Sequence, residues 1–247
     1  ALDPVHVGPQ HLVGVAVPRR APVLRVALPE RPARLAAAKR RYRGKIEHAR
    51  EGGRGILVNV VALDDYVRGV VPGEVSPAWP PEALKAFAVV ARSYAWAEWS
   101  RHGGEAALSA DTRDQKYCGR TCEDRRSDQA VDETRGLVLA YRGRSFIPYH
   151  HSDCGGGTED VRAVWGGPAV PPLGGVPCRW CAGAPHFGPW SLELSKIELA
   201  RRLHGVLARG EPVQGVTTEG RTASGRPEEI AIRTPRRVVR VPAARFR

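Results

Sequence analysis

Several residue types and patterns are scarce or absent in this chain of 247 residues. It contains no methionine and begins at Ala1, as expected for a processed or trimmed protein, so export can be neither inferred nor excluded from a leader. No stretch approaches the roughly 18 consecutive apolar residues of a membrane span, so we expect none in the visible chain. Internal repeats, zinc-finger motifs, RNA-recognition signatures and basic zippers are also absent.

Lysine is scarce as well, and this changes the meaning of the net charge of +12. Only five of the 38 basic residues are lysine, and the arginines are scattered along the whole chain. Such a bias is more typical of a GC-rich genome than of a phosphate-binding face, so we expect no nucleic-acid partner. A basic surface would also suit an anionic polymer outside the cytoplasm.

The five cysteines exclude complete disulfide pairing within the chain, because their number is odd. Cys178 and Cys181 have the Cys-x2-Cys spacing of a zinc knuckle. Together with Cys154 and His186 they would make the four ligands of a closed structural zinc site. The alternatives are a disulfide in an oxidising envelope and unpaired thiols.

The hydrophobic pattern predicts an α+β fold. We predict a single mixed domain over residues 42–247, in which a long amphipathic helix packs on antiparallel β-hairpins beside a cleft. The predicted strands are 42–47, 56–61, 137–141 and 145–149, with a small sheet between 213 and 241. The predicted helices are 63–70, 81–102, 127–134 and 195–207. Residues 1–41 are predicted to be an N-terminal extension or linker, whose apolar run 23–28 is an edge strand, a linker or the remnant of a preceding domain.

The segment from Val70 to Ala83 carries the most chemical information. It places Glu74 in a proline-rich loop beside Trp79, immediately before the long helix. The prolines restrict the backbone, so few conformations have to be frozen on folding. An acid held rigidly against an aromatic wall would have the raised pKa that a general acid needs. The alternative is an ordinary turn with a solvated glutamate.

Several blocks of sequence, in the right order between residues 42 and 247, resemble the SpoIID/LytB family. The early blocks are YVRGVVPGE (66–74), WPPEALKA (79–86) and ARSY (91–94). The later blocks are DT (111–112) with Gln115 and Tyr117, TRG (134–136), and HS (151–152) followed by GG (155–156) and TE (158–159). Because several independent blocks match, the resemblance is more specific than a lone short motif.

The resemblance implies peptidoglycan as the substrate and a periplasmic or other extracytoplasmic location. SpoIID members are lytic transglycosylases that act on glycan strands without stem peptides, whereas LytB-type members are described as enhancers of an amidase. The catalytic glutamate of the family falls on Glu74. A hydrolytic glycosidase generally uses two carboxylates, but a lytic transglycosylase needs one, and this chain offers one in such a setting. No cofactor is required for this chemistry, and a cell-wall amidase is a second expected partner.

Four residues are expected to support Glu74 by binding the glycan. Lys85 and Arg92 lie seven residues apart on one side of the long helix, where they would bind the lactyl carboxylate of the muramic sugar or orient Glu74. The alternative for both is a solvated surface charge. Gln115 and Tyr117 are expected to donate hydrogen bonds to, or accept them from, acetamido or hydroxyl groups of the glycan.

His151 and Ser152 follow a predicted strand and are expected to form a polar wall of the cleft or a structural cap. Direct activation of one by the other is not expected, because neighbours in a strand point to opposite faces. Family members usually continue past a Phe-Arg pair into a Gly-His-Gly-Val-Gly block. Since that block does not occur here, we expect either a truncation at Arg247 or a groove that lacks one wall.

One metal site of the family is not expected in this chain. Some sporulation-type members bind zinc through a histidine and two cysteines just after the long helix. The corresponding positions here are His102, Ser109 and Asp114, which cannot reproduce that ligand set. The nearby Cys118 and Cys122 are expected to form a disulfide or to remain free.

Overall fold

The computed structural model describes residues 2–7, 14–18, 22–28, 40–51, 53–104, 107–183, 191–208 and 210–245. Two compact units make up the chain, residues 1–149 and residues 150–247. Each unit combines helices with antiparallel strands, which confirms the predicted α+β class. Among the described residues, none of the helices has the length and apolarity that a membrane crossing requires.

The first sheet of the first unit has four strands. In spatial order they are β4 (Lys45–Glu51), β5 (Arg54–Ala62), β3 (Val23–Leu28) and β6 (Ala107–Ser109). The predicted hairpin is confirmed, since β4 and β5 pair antiparallel with Lys45 opposite Val60. β3 pairs with β5 on one side and with β6 on the other, and its Leu24, Val26 and Leu28 are buried. It is therefore an inner strand, and the prediction of an edge strand or linker is wrong.

The second sheet of this unit is antiparallel throughout. Its strands, in spatial order, are β1 (Leu2–Val7), β2 (Gly14–Pro18), β7 (Val138–Tyr141) and β8 (Arg144–Ser145). Arg142 and Gly143 both have positive φ, 50° and 72°, as a two-residue hairpin turn requires. The hairpin is confirmed, but its second strand is shorter than predicted. Pro148 has no N–H to donate to a ladder, so the strand does not continue to Tyr149.

The described part of the first unit also contains the α-helices α1 (Leu63–Glu74), α2 (Pro81–Arg101) and α3 (Arg125–Glu133). α2 begins at Pro81, as predicted, because proline suits the first helical position, where the missing N–H costs nothing. Gly103 and Gly104 follow it with positive φ. The core lies where α1 and α2 pack together; its members there include Tyr66, Val67, Val70, Val71, Leu84, Ala88, Ala91 and Ala95.

The second unit contains the predicted small sheet, with β10 (Glu229–Arg233) between β9 (Gly215–Glu219) and β11 (Val238–Pro242). Its helices are α4 (Val161–Trp165) and α5 (Lys196–Arg202). α5 is shorter than the predicted helix 195–207, and Ser195 caps it by accepting the Glu198 N–H at 3.1 Å. The buried core of this unit consists of Leu203, Leu207, Val213, Ile230 and Ile232.

Candidate functional site

Glu74 is the last residue of α1, so its predicted place in a loop is wrong. Pro72 lies inside the last turn, where its missing N–H removes a single helical hydrogen bond. The helix closes normally after it, because the Val75 N–H still donates to the Val71 carbonyl at 3.0 Å. The half-buried Glu74 side chain is thus carried by a rigid element.

The carboxylate of Glu74 is held by a backbone group from a distant part of the chain. Its Oε1 accepts the N–H of Lys116 at 2.5 Å. Lys116 is exposed, whereas Gln115 and Tyr117 on either side of it are buried, the alternation expected of an extended segment. One oxygen of the carboxylate is therefore fixed by a donor whose own neighbours are anchored in the core.

Two glycines, four residues apart on α1, allow this extended segment to lie against the helix. A Cβ on Gly69 would meet the Tyr117 ring at 2.5 Å, and a Cβ on Gly73 would overlap the Lys116 carbonyl oxygen. The Cys118 N–H also donates to the Gly69 carbonyl at 3.1 Å. The close approach that brings the Lys116 amide to Glu74 depends on the absence of side chains at these two positions.

We expect Gly73→Ala to push the Lys116 backbone away from Glu74 and to destabilise the first unit by about 1–3 kcal/mol, the usual effect of overpacking. Hydrogen exchange measured at the Lys116 amide should become faster, together with a lower melting temperature. Gly205→Ala is the matched control, because a Cβ there meets nothing within 4 Å. Unchanged protection of the Lys116 amide in Gly73→Ala would contradict the packing described here.

Tyr117 and Gln115 face the interior of the first unit. The Tyr117 hydroxyl donates to Asn59 Oδ1 at 2.7 Å, and its ring lies 4.9 Å from that of Tyr66, centroid to centroid. The Tyr66 hydroxyl donates to Gln115 Oε1 at 3.4 Å. Burial raises the pKa of Tyr66 well above its ordinary value, so this hydroxyl remains a donor. The predicted contact of Gln115 and Tyr117 with substrate stays a prediction, and their burial favours a supporting role.

A disulfide between Cys118 and Cys122 anchors the far end of the same segment. Of the two predicted alternatives, paired or free, the structure therefore has the paired one. The short 3-10 helix Gly119–Cys122 begins with Gly119 at φ 63°, packed against the Tyr42 ring. A side chain at this position would be both strained and overcrowded, which fixes where the segment leaves α1.

Arg92 is fully buried, so the alternative of a solvated surface charge is wrong for it. Its Nε donates to Asp64 Oδ1 at 2.7 Å, and Asp64 lies in the first turn of α1. Its remaining donors reach the carbonyls of Ala88, Val131 and Leu137 and the hydroxyl of Thr134. Burial lowers the pKa of Arg92 below its ordinary value, and the charge of Asp64 opposes this. The arrangement joins α1, α2 and α3.

Lys85, near the start of α2, pairs with one carboxylate of the same helix and with one at the end of α3. Its Nζ lies 2.8 Å from Glu82 Oε1 and 2.6 Å from Glu133 Oε2, and hydrogen bonds to both, that to Glu133 first, raise the pKa of Lys85. It borders a pocket of about 150 Å³. The other lining residues are Pro81, Leu84, Arg126, Gln129, Ala130 and Glu133. Its predicted role in binding substrate stays a prediction.

Two further carboxylates on the segment after β6 have structural partners. Asp111 accepts hydrogen bonds from Arg113 and from the Ser109 hydroxyl, and the Arg113 guanidinium lowers the pKa of Asp111 well below its ordinary value. Asp114 accepts the Tyr94 hydroxyl at 2.8 Å and the Ser109 N–H at 2.6 Å. These bonds shape the turn that leads into Gln115.

His151 and Ser152 lie at the beginning of the second unit, and both are exposed. They are not part of a strand, because β8 ends at Ser145. The rule that neighbours in a strand point to opposite faces therefore does not apply to them. Their predicted role as a polar wall of a cleft stays a prediction.

Three of the four predicted metal ligands come together in the second unit. The sulfur atoms of Cys154, Cys178 and Cys181 all lie within 4.8 Å of one another, and the distance between Cys154 and Cys181 is 3.1 Å. The hydrogen bond with Cys181 is the main cause that lowers the pKa of Cys154. The fourth predicted ligand, His186, lies outside the described residues.

Two contributors to the site were missed from sequence. The amide of Lys116 is a backbone donor, which no side-chain pattern can reveal. Asp64, the partner of Arg92, lies 28 residues before it, and nothing local links the two. A usable signal was the spacing of Gly69 and Gly73, since two glycines on one helix face indicate close backbone approach.

Comparisons with known proteins agree on one relationship. Residues 51–141 match the family model described as SpoIID, Stage II sporulation protein. The chain is 33% identical over 133 residues to the amidase enhancer of Bacillus subtilis (strain 168), covering 54% of this chain and 17% of that protein. It is 28% identical over 146 residues to Stage II sporulation protein D of the same strain, covering 53% of this chain and 42% of that protein.

An uncharacterised protein of Brachyspira hyodysenteriae (strain ATCC 49526 / WA1) is 38% identical over 181 residues. That match covers 72% of this chain and 48% of the relative. The chain therefore spans less than half the length of each of these three relatives. The region matched by the family model contains α1, α2 and Lys116, and hence the whole environment described for Glu74.

Proposed function

The chain belongs to the SpoIID/LytB-like family, and from this premise we propose that it cleaves peptidoglycan glycan strands as a lytic transglycosylase, with Glu74 as general acid and base. The observation that carries the proposal is the geometry of this side chain. Glu74 is half-buried at the end of a helix, and one of its oxygens is fixed by the Lys116 amide. A rigid, partly solvated carboxyl group of this kind suits proton transfer to a bound polymer.

In the proposed reaction, the protonated Glu74 donates its proton to the glycosidic oxygen as the bond to the muramyl C1 breaks. The resulting carboxylate then takes the proton of the 6-hydroxyl on the same muramyl residue. That oxygen closes on C1, which yields a 1,6-anhydro-muramyl end and restores the acid. Because ring closure replaces the attack of water, no second carboxylate is needed, in contrast to a hydrolytic glycosidase.

Two acids that shortly precede Lys116 in the chain are engaged in hydrogen bonds of their own, which supports a mechanism with one carboxyl group. Asp111 is paired with Arg113, and its lowered pKa keeps it ionised near neutral pH. Asp114 is engaged with the Tyr94 hydroxyl and the Ser109 amide. Glu74, by contrast, has a described hydrogen-bond partner at Oε1 alone, so its second oxygen can face substrate.

We further propose Lys116 as a cation that binds the lactyl carboxylate. Arg92 is buried and Lys85 is paired with two acids, whereas the Lys116 side chain is exposed and its own amide contacts Glu74. Arg92, Gln115 and Tyr117 are then supporting residues that position the helices and the segment bearing Lys116. His151 and Ser152 remain candidates for further contacts with the glycan.

Lys116→Gln is expected to raise KM for glycan strands about 2- to 5-fold and to leave kcat nearly unchanged. This effect corresponds to the roughly 0.5–1 kcal/mol of a solvent-exposed ion pair, and the backbone N–H that holds Glu74 is retained. Steady-state kinetics at low salt would measure it, with Lys45→Gln on β4 as the control. A KM equal to that of the unsubstituted protein would remove Lys116 from the proposed site.

The similarity to an amidase enhancer favours a second candidate function. In that role the chain would bind the wall and stimulate an N-acetylmuramoyl-L-alanine amidase without cleaving glycan. Both candidate functions imply peptidoglycan as a partner and an extracytoplasmic location. Neither requires a cofactor for its chemistry or a nucleic acid.

Product analysis distinguishes the two candidates. Purified protein would be incubated with intact peptidoglycan and with glycan strands freed of stem peptides, and the products analysed by mass spectrometry. Anhydro-muramyl ends are expected, and their absence from both substrates would contradict the lytic transglycosylase. A parallel assay would measure whether the protein accelerates peptide release by an added amidase, the result expected of the second candidate.

A further inference from the structure

We propose that Cys154, Cys178 and Cys181 bind one zinc ion, which fastens together two segments of the second unit. The three sulfur atoms lie within 4.8 Å of one another, and Cys154 and Cys181 are 3.1 Å apart. Zinc–thiolate bonds of about 2.3 Å in a tetrahedron place sulfur atoms about 3.8 Å apart. The three sulfur atoms are thus gathered on the scale of such a site, and binding requires only small side-chain adjustments.

The backbone brings the ligands together without the metal. The Cys178 N–H donates to the Gly156 carbonyl at 2.9 Å, and the Thr158 N–H donates to the Val176 carbonyl at 2.9 Å. Between these bonds, Gly157 and Pro177 form an antiparallel bridge. The segments 154–158 and 176–181 therefore run side by side, and the site is largely preorganised.

The turn that carries Cys154 has the glycines that such a ligand loop needs. Gly155 and Gly156 both have positive φ, 60° and 101°, so the chain reverses tightly after Cys154. The Gly157 N–H donates to the Cys154 carbonyl at 3.2 Å, which closes this turn.

A positive charge next to the cluster offsets the charge of the bound form. Three thiolates and one Zn²⁺ carry a net charge of −1. The Arg226 guanidinium donates to the carbonyls of Cys154 and Gly157 at 2.6 and 2.9 Å, and to the Ser224 hydroxyl at 2.8 Å. Arg226 thereby ties the ligand turn to the connection between β9 and β10 and compensates the cluster electrostatically.

Zinc is the metal that this ligand set fits best. Thiolates are soft ligands that select zinc, copper(I) or iron–sulfur clusters, and iron–sulfur clusters are generally held by four cysteines. Cys154 is buried, whereas Cys178 and Cys181 are half-buried, so an ion has access from solvent. The described residues supply three of the four ligands that a tetrahedral zinc ion requires. Each thiol that binds releases its proton to solvent.

The first test is metal content. The full chain would be purified without chelator, loaded with zinc under mild reduction that leaves the Cys118–Cys122 disulfide intact, dialysed, and analysed by mass spectrometry. About one zinc per chain is expected, and close to none in Cys181→Ser. Cys118→Ser is the matched control, because it removes the disulfide of the first unit and should keep the zinc. Metal-free protein, or full zinc content in Cys181→Ser, would overturn the proposal.

A second measurement keeps the proposal testable should Cys181→Ser fail to fold. Cobalt(II) added to the unsubstituted protein is expected to give thiolate-to-metal charge-transfer absorption and the visible bands of tetrahedral coordination, and one equivalent of zinc should remove both. Absence of charge-transfer absorption from protein with three titratable free thiols would exclude a thiolate site. A disulfide between Cys154 and Cys181 in the freshly isolated chain, revealed by alkylation and peptide mapping, would equally overturn it.

Discussion

Glu74→Gln is expected to abolish the release of 1,6-anhydro-muramyl ends from glycan strands. The amide cannot donate a proton to the glycosidic oxygen and cannot take one from the 6-hydroxyl, so both proton transfers are lost. General acid–base catalysis typically contributes about 10²- to 10⁴-fold to a rate, and the turnover number should fall by at least this factor. Release of anhydro-sugars from denuded strands, followed by mass spectrometry, measures it directly.

The fold should survive this substitution. The glutamine Oε1 can still accept the Lys116 N–H, and the side chain has the same length and is only half-buried. A melting temperature within about 2 °C of the unsubstituted protein is expected, since exposed and half-exposed changes usually cost less than about 0.5 kcal/mol. The loss of activity would then belong to the chemistry and not to unfolding.

Glu82→Gln is the matched control for this experiment. Glu82 is also a glutamate near a helix terminus, but its side chain is 82% exposed and its partner is Lys85. Its activity should equal that of the unsubstituted protein. Glu74→Gln with normal anhydro-sugar release would remove Glu74 from the mechanism. Stimulation of an amidase that persists in Glu74→Gln would show that the two candidate functions are separable.

Local pattern predicted α2 well because the information for this helix is local. Pro81 at the first position and apolar residues three and four apart were enough to place α2 within one residue at each end. β3 was harder, because its pairing with β5 and β6 depends on residues that are distant in the sequence, as for Val23 with Ala62 and Arg25 with Ala107. Its alternation of buried residues is visible in the sequence, but the partner strands are not.

A candidate acid can be proposed from the sequence through resemblance, and its catalytic role stays a prediction, whereas its environment cannot be predicted in this way. The block ending in Gly73 and Glu74 indicates a catalytic residue through resemblance. The helical end that carries Glu74 was missed because the proline at 72 suggested a loop, although proline in a last turn removes only one hydrogen bond. The amide that holds the carboxylate belongs to Lys116, 42 residues later, and its position follows from tertiary packing.

The second large effect is expected at Arg92, where substitution should destabilise the first unit. Arg92→Met keeps an unbranched chain about as long as the arginine stem up to Nε, but removes the guanidinium from its buried position. Asp64 then loses its ion-pair partner, and the carbonyls of Val131 and Leu137 each lose the hydrogen bond from the guanidinium. Breaking a buried ion pair by removing one partner typically costs about 3–5 kcal/mol, because the remaining charge and polar groups stay unpaired.

Thermal unfolding of Arg92→Met measures this loss, and a fall of about 6–20 °C in the melting temperature is expected for a unit of this size. Arg101→Met is the matched control on the same helix. Its side chain is 60% exposed and pairs with Glu98, so it should contribute less than about 1 kcal/mol. Adding Asp64→Asn to Arg92→Met should recover part of the stability, since no uncompensated charge would remain. An Arg92→Met melting temperature equal to that of Arg101→Met would mean that Arg92 does not hold α1, α2 and α3 together. The supporting role assigned to Arg92 would then fail as well.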